Sequence, residues 1–221
     1  MLNDKFNLTL AENVFVAKKL ISETIYNTAR LEDCAVTFPQ TETILQGVSV
    51  AGLMMSDVEK ILNLRDAWRY TLETIEKPIS LELWSTINGY VARNESLEWG
   101  VLRYGNVGIS GTDYKPKIPK MPEIISEIQQ MLNCQATETA TEKALNLFLY
   151  GCRSQLFWDG NKRTSTIIAN KHMIKNGVGI FSIPSTDLPQ FNTLLTHFYT
   201  TNESHEIKKF LHENCIKGMT K

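Results

Sequence analysis

A 3.6-residue apolar period recurs along most of this chain and constrains its fold more than any other feature. Leu145, Phe148, Leu149 and Cys152 stand at i, i+3, i+4 and i+7, which places four apolar side chains on one helical face. Phe191, Leu194, Leu195 and Phe198 repeat the pattern, and Ile207, Phe210, Leu211 and Cys215 share a face at i, i+3, i+4 and i+8. Nearer the start, Val14, Ala17, Ile21 and Ile25 share a face over about 12–31. The spacing predicts further helices over about 56–74, 80–92, 122–132 and 161–175.

Helix starts are marked by their chemistry. Ser56 with Glu59, and Thr139 with Glu142, have the spacing of a capping box, in which each side chain satisfies the other residue's free backbone N–H. Asp187 is placed to cap the next-to-last helix. The stretch "DCAVTFPQT", broken by Pro39, reads as a loop. Glycines at 105, 108 and 111 with alternating Val107 and Ile109 predict a short β-hairpin at about 103–116. The fold class is therefore mainly α, one core with one small hairpin.

The chain has 221 residues, enough to bury a real core, with 23 Lys+Arg against 24 Asp+Glu. A near-zero net charge gives no broad basic field, so nucleic acid is not an expected partner. No window approaches ~18 uncharged apolar residues and the N-terminus lacks a signal-peptide core, so a membrane is not expected either. Cys34, Cys134, Cys152 and Cys215 form no C-x-x-C pair. They read as buried or half-buried thiols of a cytoplasmic protein.

One stretch carries chemistry: "SQLFWDGNKRTST", 154–166, between two helices. A helix start leaves unpaired N–H groups and partial positive charge, so anions bind there. Gly160 permits close backbone approach. Asn161 can donate to a phosphoryl oxygen, and Arg163 offers a planar fork of donors. Asp159 suits Mg²⁺ bridging phosphates, because that ion takes one or two carboxylates plus substrate oxygens. The same residues also fit a plain Asp-Gly turn with Asp159 as the cap.

At these residues the chain resembles the Fic (Fido) family, which transfers AMP or another phosphate-containing group from a nucleotide to protein hydroxyls. The family motif reads His-Pro-Phe-x-Asp/Glu-Gly-Asn-Gly-Arg with a further Arg three residues on; here the run is Gln155-Leu156-Phe157-Trp158-Asp159-Gly160-Asn161-Lys162-Arg163, then Thr166. The 103–116 segment resembles the family's flap, and "LQGVSVAGLMMSDVEKILNLRDAWRY" the segment and helix before it. Thr28 to Asp33 resembles the autoinhibitory signature of the subclass with an N-terminal inhibitory helix.

The resemblance implies 1–55 as inhibitory helix and linking segment and 56–221 as the helical core. It implies Phe157 anchoring the loop, Asp159 holding Mg²⁺, and Gly160, Asn161, Lys162 and Arg163 binding the phosphates of ATP. Val107, Gly108, Ile109 and Ser110 would align a protein target, and Glu32 would block productive ATP binding. A homo-oligomer is compatible with it.

Three departures qualify the implied activity. Gln155 stands where the family has the general base, and an amide has no useful basicity near neutral pH; losing such a base typically costs ~10²–10⁴-fold in rate. Lys162 replaces a glycine, as in the Doc branch, whose members phosphorylate a protein. Thr166 replaces the second arginine, so Glu32 would turn to Arg163 or Lys162, or merely end the first helix. The implied function is a diverged protein adenylyltransferase of weak or lost activity. The alternatives are a non-catalytic nucleotide- or protein-binding homologue, a toxin–antitoxin-type partner, or a Doc-like kinase. Histidines 172, 197, 205 and 212 match no motif position and read as surface or packing residues. Trp68, Trp84 and Trp99 read as core or interface anchors, and Trp158 as a groove-lining residue.

Overall fold

The computed structural model describes residues 2–133 and 138–219; Cys134 lies outside the described residues. Among the described residues ten α-helices run in order: α1 Leu10–Lys19, α2 Ile21–Arg30, α3 Phe38–Leu45, α4 Met55–Glu73, α5 Leu81–Val91, α6 Met121–Asn133, α7 Ala140–Ser154, α8 Asn161–Lys175, α9 Leu188–Thr201 and α10 His205–Asn214. Strands β1 (Ile180–Phe181) and β2 (Ile216–Lys217) pair antiparallel, Ile180 opposite Lys217. The mainly α class holds.

The interior is organised around α8, which packs against α1, α2, α4, α5, α7 and β1. Its sequence, NKRTSTIIANKHMIK, is polar, yet Thr164, Ser165, Thr166, Asn170 and Lys171 are all buried. They are tolerated because their polar atoms are bonded. Ser165 Oγ donates to Asn161 O at 2.7 Å, Thr166 Oγ1 to Lys162 O at 2.9 Å and Asn170 Nδ2 to Phe181 O at 2.7 Å. Lys171 Nζ donates to Thr74 O. Small side chains also let α7 come close: a Cβ on Gly151 would lie 2.1 Å from Ser165 Oγ.

One apolar cluster joins Val16, Ile25, Ile61, Trp68, Trp84 and Ile167, drawing α1, α2, α4, α5 and α8 into one core. A second, on the other face of α7, gathers Phe148, Phe181, Phe191, Phe198, Phe210 and Leu211. Fully burying each such side chain contributes roughly 1.5–3 kcal/mol. Trp68 and Trp84 are core, whereas Trp99 is 38% exposed. Cys34, Cys152 and Cys215 are buried free thiols, and burial pushes the Cys215 thiol up to about 12.

Several expectations change. The first helix is two, interrupted at Leu20 (φ −95°, ψ 7°), and it opens with a capping box of Thr9 and Glu12. The stretch read as a loop holds α3, capped by Thr37 and Gln40, with Pro39 in the first turn where its missing N–H costs nothing. Ser56 and Glu59 do not form a box, because α4 starts one residue earlier, at Met55, with Met54 as an N-cap that makes no side-chain bond. Thr139 caps α7, but Glu142 turns to Leu2 N and Lys208 instead of completing the box. Asp187 sits at the α9 N-cap without a side-chain capping bond, its Oδ1 accepting from Thr186. Among the described residues the only paired strands are β1 and β2, so 103–116 is an extended loop closed by a turn rather than a laddered hairpin.

Candidate active site

The 155–160 connection between α7 and α8 is shaped by two left-handed residues. Gln155 ends α7 at φ 46°, ψ 60°, and Gly160 opens α8 at φ +71°. At Gly160 glycine is required twice over, since a Cβ would also meet Val91 Cγ1 at 3.0 Å and Ala92 Cβ at 3.2 Å. Phe157, 1% exposed, pins the loop in the core, and Leu102 bridges to it as an isolated β-pair.

Asn161 ties the loop together from inside. Its Oδ1 accepts from Phe157 N at 2.9 Å, while Nδ2 donates to Phe157 O at 2.8 Å and to Gln155 Oε1 at 3.1 Å. The carboxamide expected to reach a phosphoryl oxygen is thus engaged within the loop. Gly160, the α8 N-cap, supplies no side-chain cap. The first N–H groups of α8 therefore have no side-chain cap, the condition in which a helix start can receive an anion.

Arg163 is also placed differently from expectation. Its guanidinium meets Glu95 in two prongs, Nη1–Oε1 at 2.5 Å and Nη2–Oε2 at 2.8 Å, and touches Asp159 Oδ1 at 3.3 Å. Only 1% of the side chain is exposed. Burial alone would lower its pKa, but Glu95, with help from Glu32 and Asp159, holds it above the ordinary arginine value. Arg163 is thereby a buried brace beneath the loop.

Above that brace lies a cavity of about 530 Å³. Gln155, Asp159, Gly160, Asn161 and Lys162 line it from the loop, Gly108, Ile109 and Ser110 from the facing segment, and Glu32 from the end of α2. Of the residues implied to bind nucleotide, cation or target or to inhibit, the cavity gathers all but Val107 and Arg163, which are not in its lining. Trp158, read as groove-lining, does line it, with its ring edge-on to Tyr104 at 5.2 Å.

Lys162 Nζ donates to Leu31 O at 2.9 Å and pairs with Glu32 Oε1 at 3.5 Å. Of the two cations that Glu32 could turn to, the lysine is the one in contact. Thr166 is 1% exposed and bonded into its own helix. Gln155 folds back over α7: Nε2 donates to Cys152 O at 2.7 Å while Oε1 accepts from Asn161.

Asp159 is 41% exposed. Its Oδ1 accepts from Gly160 N and Arg163, and its Oδ2 makes no hydrogen bond among the described residues. No group of three or more His, Cys, Asp or Glu side chains among those residues is placed to hold a metal ion. A cation here would therefore take one protein carboxylate oxygen. That fits Mg²⁺ completed by phosphate oxygens and water.

Three positioning residues escaped the sequence reading. Besides Glu95, Asn88 is fully buried and donates to Asp159 O at 2.9 Å and Thr164 Oγ1 at 3.2 Å, while accepting from Gly100 N at 2.8 Å. Arg103, 1% exposed, donates to the carbonyls of Gln155, Gly105, Pro116, Lys117 and Ser154. It has no carboxylate partner among the described residues, and burial pushes its pKa down. From Asn106 to Ser110 exposure alternates, and no backbone hydrogen bond joins 106–111 to the rest of the described protein.

No protein-family model matches the chain, and no curated protein matches it in sequence. Solved structures match it in shape. Fic-1 from C. elegans (residues 134–508) superposes with a TM-score of 0.80 at 18% identity, over 90% of this chain and 61% of that one. The chain has the Fic-domain fold. A Fic-domain-containing signaling protein from Bacteroides thetaiotaomicron gives a TM-score of 0.77 at 17% identity, covering 93% of this chain and 86% of that one. A Fic family protein from Desulfovibrio desulfuricans gives 0.71 at 14% identity, covering 92% and 62%. The Fic fold here thus spans about three-fifths of the C. elegans and D. desulfuricans structures. No helix among the described residues is long and apolar enough to cross a membrane.

Proposed function

We propose that the chain is a diverged Fic-type protein modifier that holds a nucleotide phosphate with Mg²⁺ in the 530 Å³ cavity and presents a protein segment on the 106–111 edge. The observation that carries this reading is the convergence of the side-chain-uncapped α8 start, the unspent Asp159 Oδ2, Lys162 and the unpaired backbone edge on one cavity.

The chain's own groups divide the work. Backbone N–H groups of residues 161 and 162 and the Lys162 ammonium bind phosphate oxygens. Asp159 Oδ2 would hold the cation, which when bound would neutralise charge on the phosphates. The 106–111 backbone aligns an extended target by strand-like hydrogen bonding, bringing a hydroxyl beside Gln155. Gln155 orients that hydroxyl but takes no proton from it, so AMP transfer is slow or lost. Glu32 restrains the site by occupying Lys162 and by facing the same helix start that would receive a phosphate.

A second reading, a non-catalytic nucleotide- and protein-binding homologue, is favoured by the Gln155 carboxamide having both its polar atoms committed, to Cys152 and Asn161. Calorimetry with ATP and Mg²⁺, followed by incubation with lysate and ATP labelled at the α- or the γ-phosphate, separates the readings. Transfer of the α label, lost in Asp159→Ala, supports adenylyl transfer. Transfer of only the γ label supports Doc-like phosphorylation, and nucleotide binding without label supports the binder. No nucleotide binding by the wild-type protein would overturn all three.

A further inference from the structure

A second cavity is larger than the one above. A groove of about 690 Å³ lies between the returning arm of the 103–119 segment, α6, and the last turns of α7. Its floor is apolar, with Ile124, Leu149 and Phe198 buried. Its walls carry more cation than anion. Lys120 pairs with Glu123 and Lys208 with Glu142; Glu127 accepts from Tyr150 Oη at 2.6 Å. Lys115, Lys117 and Arg153 have no carboxylate partner among the described residues.

Arg153 is the best-held of the three. Its guanidinium carbon lies 3.8 Å from the centre of the Tyr114 ring, and its Nε donates to Tyr199 O at 3.3 Å. Both terminal nitrogens make no hydrogen bond among the described residues. The planar fork is thus fixed by stacking while its bidentate donors remain unspent, which is how arginine is set to receive a carboxylate at little entropic cost. Three separated cations over an apolar floor do not make the continuous basic track that a nucleic-acid backbone needs. They match a short segment that alternates acidic and apolar side chains.

We propose that this groove binds an acidic, apolar-anchored peptide segment, with Arg153 taking a carboxylate in two prongs and Lys115 and Lys117 attracting its neighbours. The groove and the 106–111 edge lie on successive parts of one segment, so a peptide following both would be selected by charge in the groove. That link to a modified target rests on the function proposed above; peptide binding itself does not, and it is measured without nucleotide.

The test is fluorescence anisotropy with a labelled peptide alternating glutamate and leucine, beside the counterpart with lysine in place of glutamate. The glutamate peptide should bind and weaken with rising salt, and the lysine peptide should not bind. Arg153→Gln should weaken binding at least about tenfold, with Arg153→Lys between the two, since it keeps the charge and loses the fork. If Arg153→Gln does not fold, the Lys115→Gln/Lys117→Gln double variant, altered only at exposed side chains, should weaken binding and flatten its salt dependence. Equal binding of the two peptides overturns the proposal. So does unchanged binding in the variants, or tighter binding of a single-stranded oligonucleotide than of the glutamate peptide.

Discussion

Arg163 and Glu95 form a two-pronged ion pair at 2.5 and 2.8 Å beneath the loop, with the arginine side chain 1% exposed and the glutamate 14%. The pair couples the residues following α5 to the first turn of α8. Removing Glu95 leaves a buried guanidinium answered only by the part-exposed Asp159 and the more distant Glu32. Glu95→Ala should therefore cost about 3 kcal/mol. Replacing both partners with apolar residues of similar volume, Glu95→Leu with Arg163→Met, should recover most of that loss. Urea unfolding of the two single variants and the double variant gives the coupling directly.

Lys162 is held by Glu32 and by the Leu31 carbonyl. Glu32→Gly should free the ammonium to face the cavity and remove a negative charge from beside the α8 start. The expected outcome is ATP affinity raised about tenfold, read by calorimetry in the presence of Mg²⁺. Unchanged affinity would mean that the Glu32 carboxylate does not compete with phosphate.

Gln155 has φ 46°, a left-handed backbone that histidine also accepts more readily than most residues. Gln155→His, combined with Glu32→Gly, should raise transfer of α-labelled AMP by roughly 10²-fold or more, the usual contribution of a positioned base. No gain would show that Lys162 and Thr166 have already rebuilt the pocket around a different use.

His172 has a ring nitrogen that is buried without a hydrogen-bond partner among the described residues. Burial, aided by Lys143 and Lys175 and opposed by Asp4, pushes its pKa down from 6.5 to about 4. The unfolded chain then binds more protons than the folded one between those values, so this group's contribution to stability falls as pH drops from about 6.5 to about 4. The loss is at most about 3 kcal/mol. His172→Gln should flatten the stability profile across that window, as measured by urea midpoints from pH 7 to pH 4.

Much of this molecule was legible because its signals are local. The apolar period placed α5 and α7 within a residue or two, and the loop's composition marked the start of α8 and the cavity that the fold builds. What escaped was decided elsewhere. Whether Ser56 or Met54 begins α4 depends on where α4 docks, and a capping pattern cannot see that. Pro39 reads as a breaker in isolation and as a first-turn residue once Thr37 caps ahead of it. Arg163 reads as a phosphate ligand until Glu95, 68 positions away, is brought beneath it. No spacing rule links the two. Arg103 and Asn88 are likewise ordinary polar residues in sequence; their importance comes from the carbonyls that converge on them in space.

That convergence on Arg103 has a mechanical consequence. One side chain grips carbonyls at both ends of the 105–117 excursion and, simultaneously, those of Ser154 and Gln155. The excursion's base and the head of the loop therefore share a single datum. A segment laid along the 106–111 edge would have its reach toward Gln155 measured from the same guanidinium that fixes Gln155 itself.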